Sequence, residues 1–560
     1  MSRFLATMLS SATGPDGSRR GMTTGEPHEP VTRTWNEVHR AARAAADALA
    51  AGTDGVPGLA PGGAVGVLAG EPSTIAPAAQ AVWLCGGSVT MLHQPTPRTD
   101  LAVWAQDTVE TLRMIDATMV LLGPPFDALA PVLAEQGVAF RTLDSLDDGV
   151  PESFTPDPSV AEEPDTALLQ LTSGSTATPK AVRITHGNLH ANIAAMVEAS
   201  ELDVATDRMV SWLPLFHDMG MVGFLTIPMT VGLDLVTVTP ADFLSRPRLW
   251  AELISKYRGT VTAAPNFAYA ILGRQLTRVD DGELDLSSLR IALNGAEPID
   301  PVAVAAFTDA GARFGLRAES VLCAYGMAET ALGVSFAPVR TGLRVDEIDA
   351  DELESGRRAT PASADRPSRG FPELGPPLPG LEVRAVDGAG RVLGPREVGA
   401  LQLRGEAVTP GYLTVDGPVA TQDADGWFDT GDEGYRTEGG AVVVCGRTKD
   451  VIIMGGRNIY PTDIERAAGT VDGVRAGNVV AVRLAAGHGR RRETFAVVVE
   501  AKAADSDDDV KAIRDEVTGR VLSAVGVRPG EVVVLAPGSL PKTPSGKLRR
   551  AATVDLITTG

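Results

Sequence analysis

Helical and strand-like hydrophobic patterns alternate along this chain, and that alternation constrains its fold more than any single motif does. Residues 35–50 carry apolar side chains at helical spacing, and Ala64-Val65-Gly66-Val67-Leu68 reads as a short buried strand. Residues 75–83 are helical again, and Met119-Val120-Leu121-Leu122 is another strand. Further strands are expected at 209–212, 233–238 and 291–293. Short apolar runs separated by helices are the pattern of parallel sheets covered on both faces. The expected class is α/β: a large N-terminal portion of helix-covered, mostly parallel sheets plus a small β-rich unit, with a small mobile α+β domain at the C-terminal end.

A chain of 560 residues exceeds what one core can organise and suggests about two to four domains. The texture changes between Arg340 and Gly370, where Asp346, Glu347, Asp349, Asp351, Glu352 and Glu354 form an acidic run ahead of Arg357-Arg358 and a Pro/Ala/Ser/Asp segment. That reads as a solvated insertion or long loop without a core of its own. Strands around Val383, at 401–403 and at 442–444 close the large portion, 1–448. The last piece, 449–560, patterns as strand (479–484), strand (495–500), helix (508–525) and strand (532–535).

Composition excludes several classes. A net charge of −21 argues against nucleic acid as a partner, because phosphate backbones need positive charge. Cys85, Cys323 and Cys445 are scattered, with neither metal-ligand nor disulfide spacing, and fit a reducing cytoplasm. The apolar segment after Arg3 is short and lacks a small-residue cleavage site, so an amphipathic first helix is expected rather than a signal peptide. No apolar stretch reaches the roughly eighteen residues of a membrane span.

The strand-like run Ala167-Leu168-Leu169-Gln170-Leu171 leads into Thr172-Ser173-Gly174-Ser175-Thr176-Ala177-Thr178-Pro179-Lys180. Short hydroxyls and backbone amides in such a turn suit phosphate oxygens, and Lys180 adds a point charge. A Walker loop is excluded: Pro179 precedes the lysine and Ala181 follows it. Alone, the cluster reads equally well as a polar surface turn.

Five further stretches follow in order: Asn294-Gly295-Ala296-Glu297-Pro298, Ala324-Tyr325-Gly326-Met327-Ala328-Glu329-Thr330, Trp427-Phe428-Asp429-Thr430-Gly431-Asp432, Gly446-Arg447-Thr448-Lys449-Asp450, and Pro541-Lys542-Thr543-Pro544-Ser545-Gly546-Lys547. Together the six motifs resemble the adenylate-forming superfamily of acyl-CoA synthetases, peptide-synthetase adenylation domains and firefly luciferase, over about residues 30–560. Trp212-Leu213-Pro214-Leu215-Phe216-His217-Asp218-Met219-Gly220, Phe243-Leu244-Ser245-Arg246-Pro247, Pro265-Asn266-Phe267-Ala268-Tyr269 and Tyr460-Pro461-Thr462-Asp463-Ile464-Glu465 look most like the fatty acyl-AMP ligase branch. The segment 91–98 and Leu413 after Tyr412, where that branch commonly has Trp, depart from its pattern.

The resemblance implies an ATP- and Mg²⁺-dependent ligase. It would convert a fatty or other apolar carboxylic acid to acyl-AMP and pyrophosphate, then load the phosphopantetheine thiol of an acyl carrier protein. It also implies the roles. Thr172, Ser173, Gly174, Ser175, Thr176 and Lys180 would hold phosphates, and Thr172 and Glu329 the metal. Gly295, Ala296, Glu297, Tyr325, Gly326 and Met327 would form the base pocket, with Tyr325 stacked on adenine. Asp432, assisted by Arg447, would accept from the ribose. Lys547 would sit between carboxylate and α-phosphate, and His217 would gate the carboxylate pocket. Asn266 and Phe267, with Ala263, Ala264 and Ala268, would line an acyl channel, and Asp450 would be the hinge. Residues 340–370 lie where those ligases carry a segment thought to hinder transfer to CoA. Three alternatives stay open: an acyl-CoA synthetase, a P-loop kinase or NTPase, and a non-catalytic nucleotide-binding relative. Arg490-Arg491-Arg492 and Arg549-Arg550 are the candidate basic patch for an acidic carrier protein.

Overall fold

In the computed structural model the periodicity at 35–50 folds as the helix Trp35–Ala51, started by a capping box between Thr34 and Glu37. The structure describes residues 1–53, 55–95, 99–146, 154–172, 179–454, 457–484, 494–502, 507–542 and 547–559. The other expected elements form with boundaries moved by a few residues: strands Ala64–Leu68, Ala117–Leu122, Arg208–Ser211, Asp234–Thr237 and Ile291–Asn294, and helix Pro72–Leu84. The amphipathic first helix is Arg3–Thr13, with Phe4, Leu5, Met8 and Ala12 buried.

Two eight-stranded sheets carry the large portion. In the first, Val321–Gly326, Ile291–Asn294, Val261–Ala264, Arg208–Ser211 and Asp234–Thr237 run parallel, in that order across the sheet. In the second, Thr166–Thr172, Ser88–Met91, Ala64–Leu68 and Ala117–Leu122 run parallel, and Lys180–Thr185 returns antiparallel beside Thr166–Thr172. Ligands of such sheets bind beyond the carboxyl ends of the strands. Thr172, Asn294 and Gly326 all occupy those ends. A four-stranded antiparallel sheet of Leu381–Val386, Gly399–Gly405, Phe428–Arg436 and Val442–Arg447 is the expected β-rich unit.

The C-terminal piece has a three-stranded sheet of Val474–Leu484, Thr494–Ala501 and Glu531–Leu535, packed with helices Pro461–Gly469 and Asp507–Val525. Its apolar cluster, including Ile464, Phe495, Val499 and Val517, is separate from the main cluster that gathers residues from Phe4 to Val442. Among the described residues no helix is long and apolar enough to cross a membrane.

One expectation is overturned. The acidic stretch is not a solvated loop. It folds as strand Val345–Asp349, helix Ala350–Gly356 and strand Ser368–Pro372, the two strands paired antiparallel. Ile348, Leu353, Ala359 and Phe371 are buried in one cluster with Tyr435, Val443, Val451 and Tyr460. The acidic residues misled because several are satisfied inward. Asp346 accepts from Tyr435 Oη at 2.7 Å and pairs with Arg396, and Asp349 caps the helix through Glu352 N at 2.9 Å and pairs with Arg366. Glu354, 2% exposed, receives both Arg369 and Arg457. Buried carboxylates persist when paired in this way, and composition alone does not reveal the pairing.

Candidate active site

The strand Thr166–Thr172 ends with Thr172 opposite Lys180, and Thr172 Oγ1 is buried with no hydrogen-bonding partner. Ser173, Gly174, Ser175 and Thr176 lie outside the described residues. Lys180 Nζ stands 3.8 Å over the Tyr412 ring and 3.9 Å from Glu329 Oε1. Burial pushes the Lys180 ammonium down from its ordinary value, and Arg447 and Lys449 push the same way against Glu329. Tyr412 Oη donates to Glu329 Oε1 at 2.8 Å. Tyr412 is a site residue that sequence reasoning passed over: only its neighbour Leu413 attracted attention, because pairing of 411–414 with 180–183 is invisible in the chain.

Beside this set, Tyr325 Oη donates to Asp432 Oδ2 at 2.5 Å, and Arg447 Nε lies 2.9 Å from Asp432 Oδ1. The paired strands Phe428–Arg436 and Val442–Arg447 place Asp432 directly opposite Arg447. Burial raises the Asp432 carboxyl, while Arg447 and the Tyr325 hydroxyl lower it. A carboxylate has about four acceptor positions, so each oxygen retains capacity for a further donor. Gly295 sits where an added Cβ would come 3.1 Å from Ala324 O, and Gly326 where one would come 2.3 Å from Leu332 O. Ala296 has φ of 68°, an uncommon backbone for a residue with a side chain and one that clusters at functional sites. Met327 is buried, and its amide donates to Leu332 O at 2.8 Å.

His217 Nδ1 lies 2.6 Å from Asp218 Oδ1, and Asp218 accepts from Met219 N at 2.8 Å. Burial works to raise the Asp218 carboxyl, but His217 and Lys547 outweigh it and hold it below the usual range. Lys547 also lowers the Glu297 carboxyl, which burial raises. The structure therefore brings Lys547 of the C-terminal piece to the His217–Asp218 and Glu297 side of the crevice. Glu297 Oε1 itself accepts from Phe267 N at 2.6 Å, at the start of helix Asn266–Leu276. Asn266 Oδ1 accepts from Asn294 Nδ2 at 3.2 Å and Asp300 N at 3.1 Å. Phe267 is half-buried, whereas Ala263, Ala264 and Ala268 are fully buried in the main core.

Two more residues were missed. Gln170 Nε2 donates to Phe216 O at 3.0 Å and ties the strand Thr166–Thr172 to the His217 turn. The His93 ring stands edge-on to Phe216 with centroids 5.8 Å apart, and burial with the charge of His217 pulls its imidazole down to about 4. The unusual wording of 91–98 was the available signal. Asp450 ends the turn Thr448–Asp450 and pairs with Arg550 Nε at 3.4 Å. Arg550 is thus engaged internally, and Arg490, Arg491 and Arg492 lie outside the described residues.

The donor set suits a hard cation: Glu329 and the unpartnered Thr172 Oγ1 supply oxygen atoms only, and Mg²⁺ takes few protein ligands beside phosphate oxygens. Among the described residues no cluster of three or more His, Cys, Asp or Glu forms a metal cage.

Two aromatic–carboxylate–cation sets thus stand at the strand ends, and Lys547 of a second unit acts electrostatically on the Asp218 carboxyl. The model for the AMP-binding enzyme family matches residues 19–413, and the chain belongs to that family as an adenylate-forming ligase. It is 56% identical over 559 residues to "Putative ligase Rv1013" of Mycobacterium tuberculosis, with 100% of both chains covered. It is 32% identical over 435 residues to the long-chain-fatty-acid–AMP ligase FadD28 of the same organism, covering 74% of this chain and 73% of the relative. Among solved structures, one from a study of fatty acyl-adenylate ligases of E. coli and L. pneumophila matches with TM-score 0.86 and 29% identity, covering 100% of this chain and 98% of that one.

Proposed function

We propose that the chain activates a fatty or other apolar carboxylic acid with ATP and loads it onto the phosphopantetheine thiol of an acyl carrier protein. The convergence of Lys547 with His217–Asp218, beside the Tyr325–Asp432–Arg447 and Glu329–Tyr412–Lys180 sets, carries this reading.

In the first step a carboxylate oxygen attacks the α-phosphorus, the bond to the β-phosphate oxygen breaks, and pyrophosphate leaves. Anion meets anion, so the gain must come from charge neutralisation and alignment. Lys547 supplies positive charge where the carboxylate meets the α-phosphate. Thr172 to Thr176 and Lys180 hold the departing phosphates. Thr172 and Glu329 would hold Mg²⁺, which would supply neutralising charge at the phosphates. Tyr325 stacks on adenine against Gly295 and Ala296, and Asp432 with Arg447 takes the ribose hydroxyls. His217 gates the carboxylate, and the tail leads past Phe267 and Asn266. In the second step 449–560 turns about Asp450 relative to 1–448, a thiolate attacks the acyl carbonyl, and AMP leaves as the thioester forms.

The packed insertion favours a carrier protein over CoA. Arg369 reaches Asp463 at 3.3 Å, and Glu354 takes Arg457, so residues beyond the hinge are held on the large portion. Such a strap opposes the rotation that an unassisted small thiol donor needs, whereas a docked carrier protein adds binding energy of its own. A pyrophosphate-release screen of acids from short to long, with ATP alone, with CoA and with a holo-carrier protein, tests the reading. Release that depends on an apolar acid, with thioester formed on the carrier protein faster than on CoA, is expected. ADP as product would overturn it, and equal or faster use of CoA would turn it into a synthetase.

A further inference from the structure

Arg550 opens the last helix, Arg550–Thr559, three residues after Lys547. It does not point into solvent. Its Nη1 lies 2.9 Å from Glu465 Oε1 and its Nη2 donates to Glu465 Oε2 at 3.0 Å, while Nε lies 3.4 Å from Asp450 Oδ2. Glu465 is itself fixed, since Oε1 accepts from Ala481 N at 2.9 Å on the edge strand Val474–Leu484 of the C-terminal sheet. The upstream side of Lys547 is anchored separately. Leu540 N donates to Glu500 Oε1 at 2.9 Å, and Lys542 Nζ donates to Asn478 Oδ1 at 2.8 Å.

We propose that Arg550 is a positioning residue that couples the hinge to Lys547. One guanidinium grips Glu465 in the body of the C-terminal unit and Asp450 at the pivot, so Lys547 is held forward only while the hinge keeps this arrangement. The proposal rests on the two-step reading above.

A planar fork suits the task, because it bonds two oxygens of one carboxylate and leaves a third donor for another. The two contacts differ in kind. Arg550 and Glu465 travel together in any rotation about residue 450, whereas Asp450 changes its backbone angles as the hinge turns. The Asp450 contact is therefore the one that breaks. Burial lifts the Glu465 carboxyl to about 7, Arg550 opposes that rise, and Asp450 and Asp463 add to it. Arg550 is thus the cation that pairs with both Glu465 and Asp450.

The test separates the half-reactions in the full chain. Arg550→Gln should lower the rate of acid-dependent pyrophosphate release by about 10-fold or more, the scale of a misplaced catalytic group. Transfer from supplied acyl-AMP to thiol should hold or rise. Arg550→Lys, able to satisfy one carboxylate but not the fork, should recover part of the first rate. Asp450→Asn removes the charge of the hinge contact, leaves the Glu465 pair in place, and guards against a folding failure in the arginine variants. Hydrogen exchange at Thr448–Asp450 should quicken in Arg550→Gln and Asp450→Asn. Equal loss of both half-reactions in a variant that melts like the parent would overturn the coupling, and so would unchanged exchange at the hinge. Absence of acid-dependent pyrophosphate release in the unaltered chain would defeat the two-step reading instead, and the exchange arm would still decide whether Arg550 holds the hinge.

Discussion

The two sides of the crevice are built by different means. On one side Tyr325, Asp432 and Arg447, with Glu329, Tyr412 and Lys180, belong to sheets of the large portion and hold one another through direct contacts. On the other side Lys547 arrives from a unit with its own apolar cluster, held by ion pairs at Arg550, Arg457 and Arg369. Apolar packing is non-directional and hard to undo in steps, whereas an ion pair can exchange one partner for another, a buried one such as Arg369 with Glu354 only when a new partner is supplied. A group needed throughout a reaction belongs on the first kind of support, and a group needed for one step belongs on the second.

Replacing Lys547 by Ala gives the largest expected effect. Acyl-AMP formation should fall by roughly 10²-fold or more, as when a main electrostatic stabiliser is lost, while transfer from supplied acyl-AMP stays largely intact. Separate assays of the two half-reactions check this, and equal loss would erase the distinction between the sides. Asp432→Asn should behave oppositely, because the nucleotide moiety is present in both steps. About a 10-fold rise in the KM for ATP, with a matching loss in transfer from acyl-AMP, is expected from weakening one buried charge-assisted contact.

The strap is next. Deleting 340–370 would uncover Tyr435, Val443 and Tyr460, so Glu354→Gln is the cleaner probe. It should raise transfer to CoA a few-fold, on the order of 1 kcal/mol in the balance between arrangements, and leave pyrophosphate release near its original rate. An unchanged CoA rate would remove the insertion as a barrier.

Acid and base sensitivity should differ in sign between the large portion and the C-terminal piece. Burial pulls the His186 imidazole, whose Nδ1 lies 2.9 Å from Ser2 Oγ, down to about 4. The unfolded chain takes up that proton first, so this stability is present above the ordinary histidine range and is lost as pH falls from about 6.5 toward 4. The Glu465 carboxyl is raised to about 7, so its folded form keeps the proton longer, and stability is lost as pH rises from about 4.5 to 7. Each is worth at most about 1.4 kcal/mol per pH unit within its window. Melting of His186→Asn and Glu465→Gln across pH 5 to 8 should show flattened slopes of opposite sign, and parallel slopes would contradict the assignment.

The sequence by itself determined the α/β class, the alternation of elements and the residues gathered at the strand ends. Short-range spacing encodes those features: apolar period for the strands around Val65 and Ala292, and a glycine at Gly326 where the backbones come too close for a side chain. It could not show that Glu354 is buried or that Arg550 is spoken for. Both depend on partners far along the chain, 103 residues away for Arg457 with Glu354 and 85 for Arg550 with Glu465. A charged side chain carries no local mark of whether water or a counter-ion will meet it. Only the tertiary structure decided that, because the cost of burying a charge is set by what else has been folded against it.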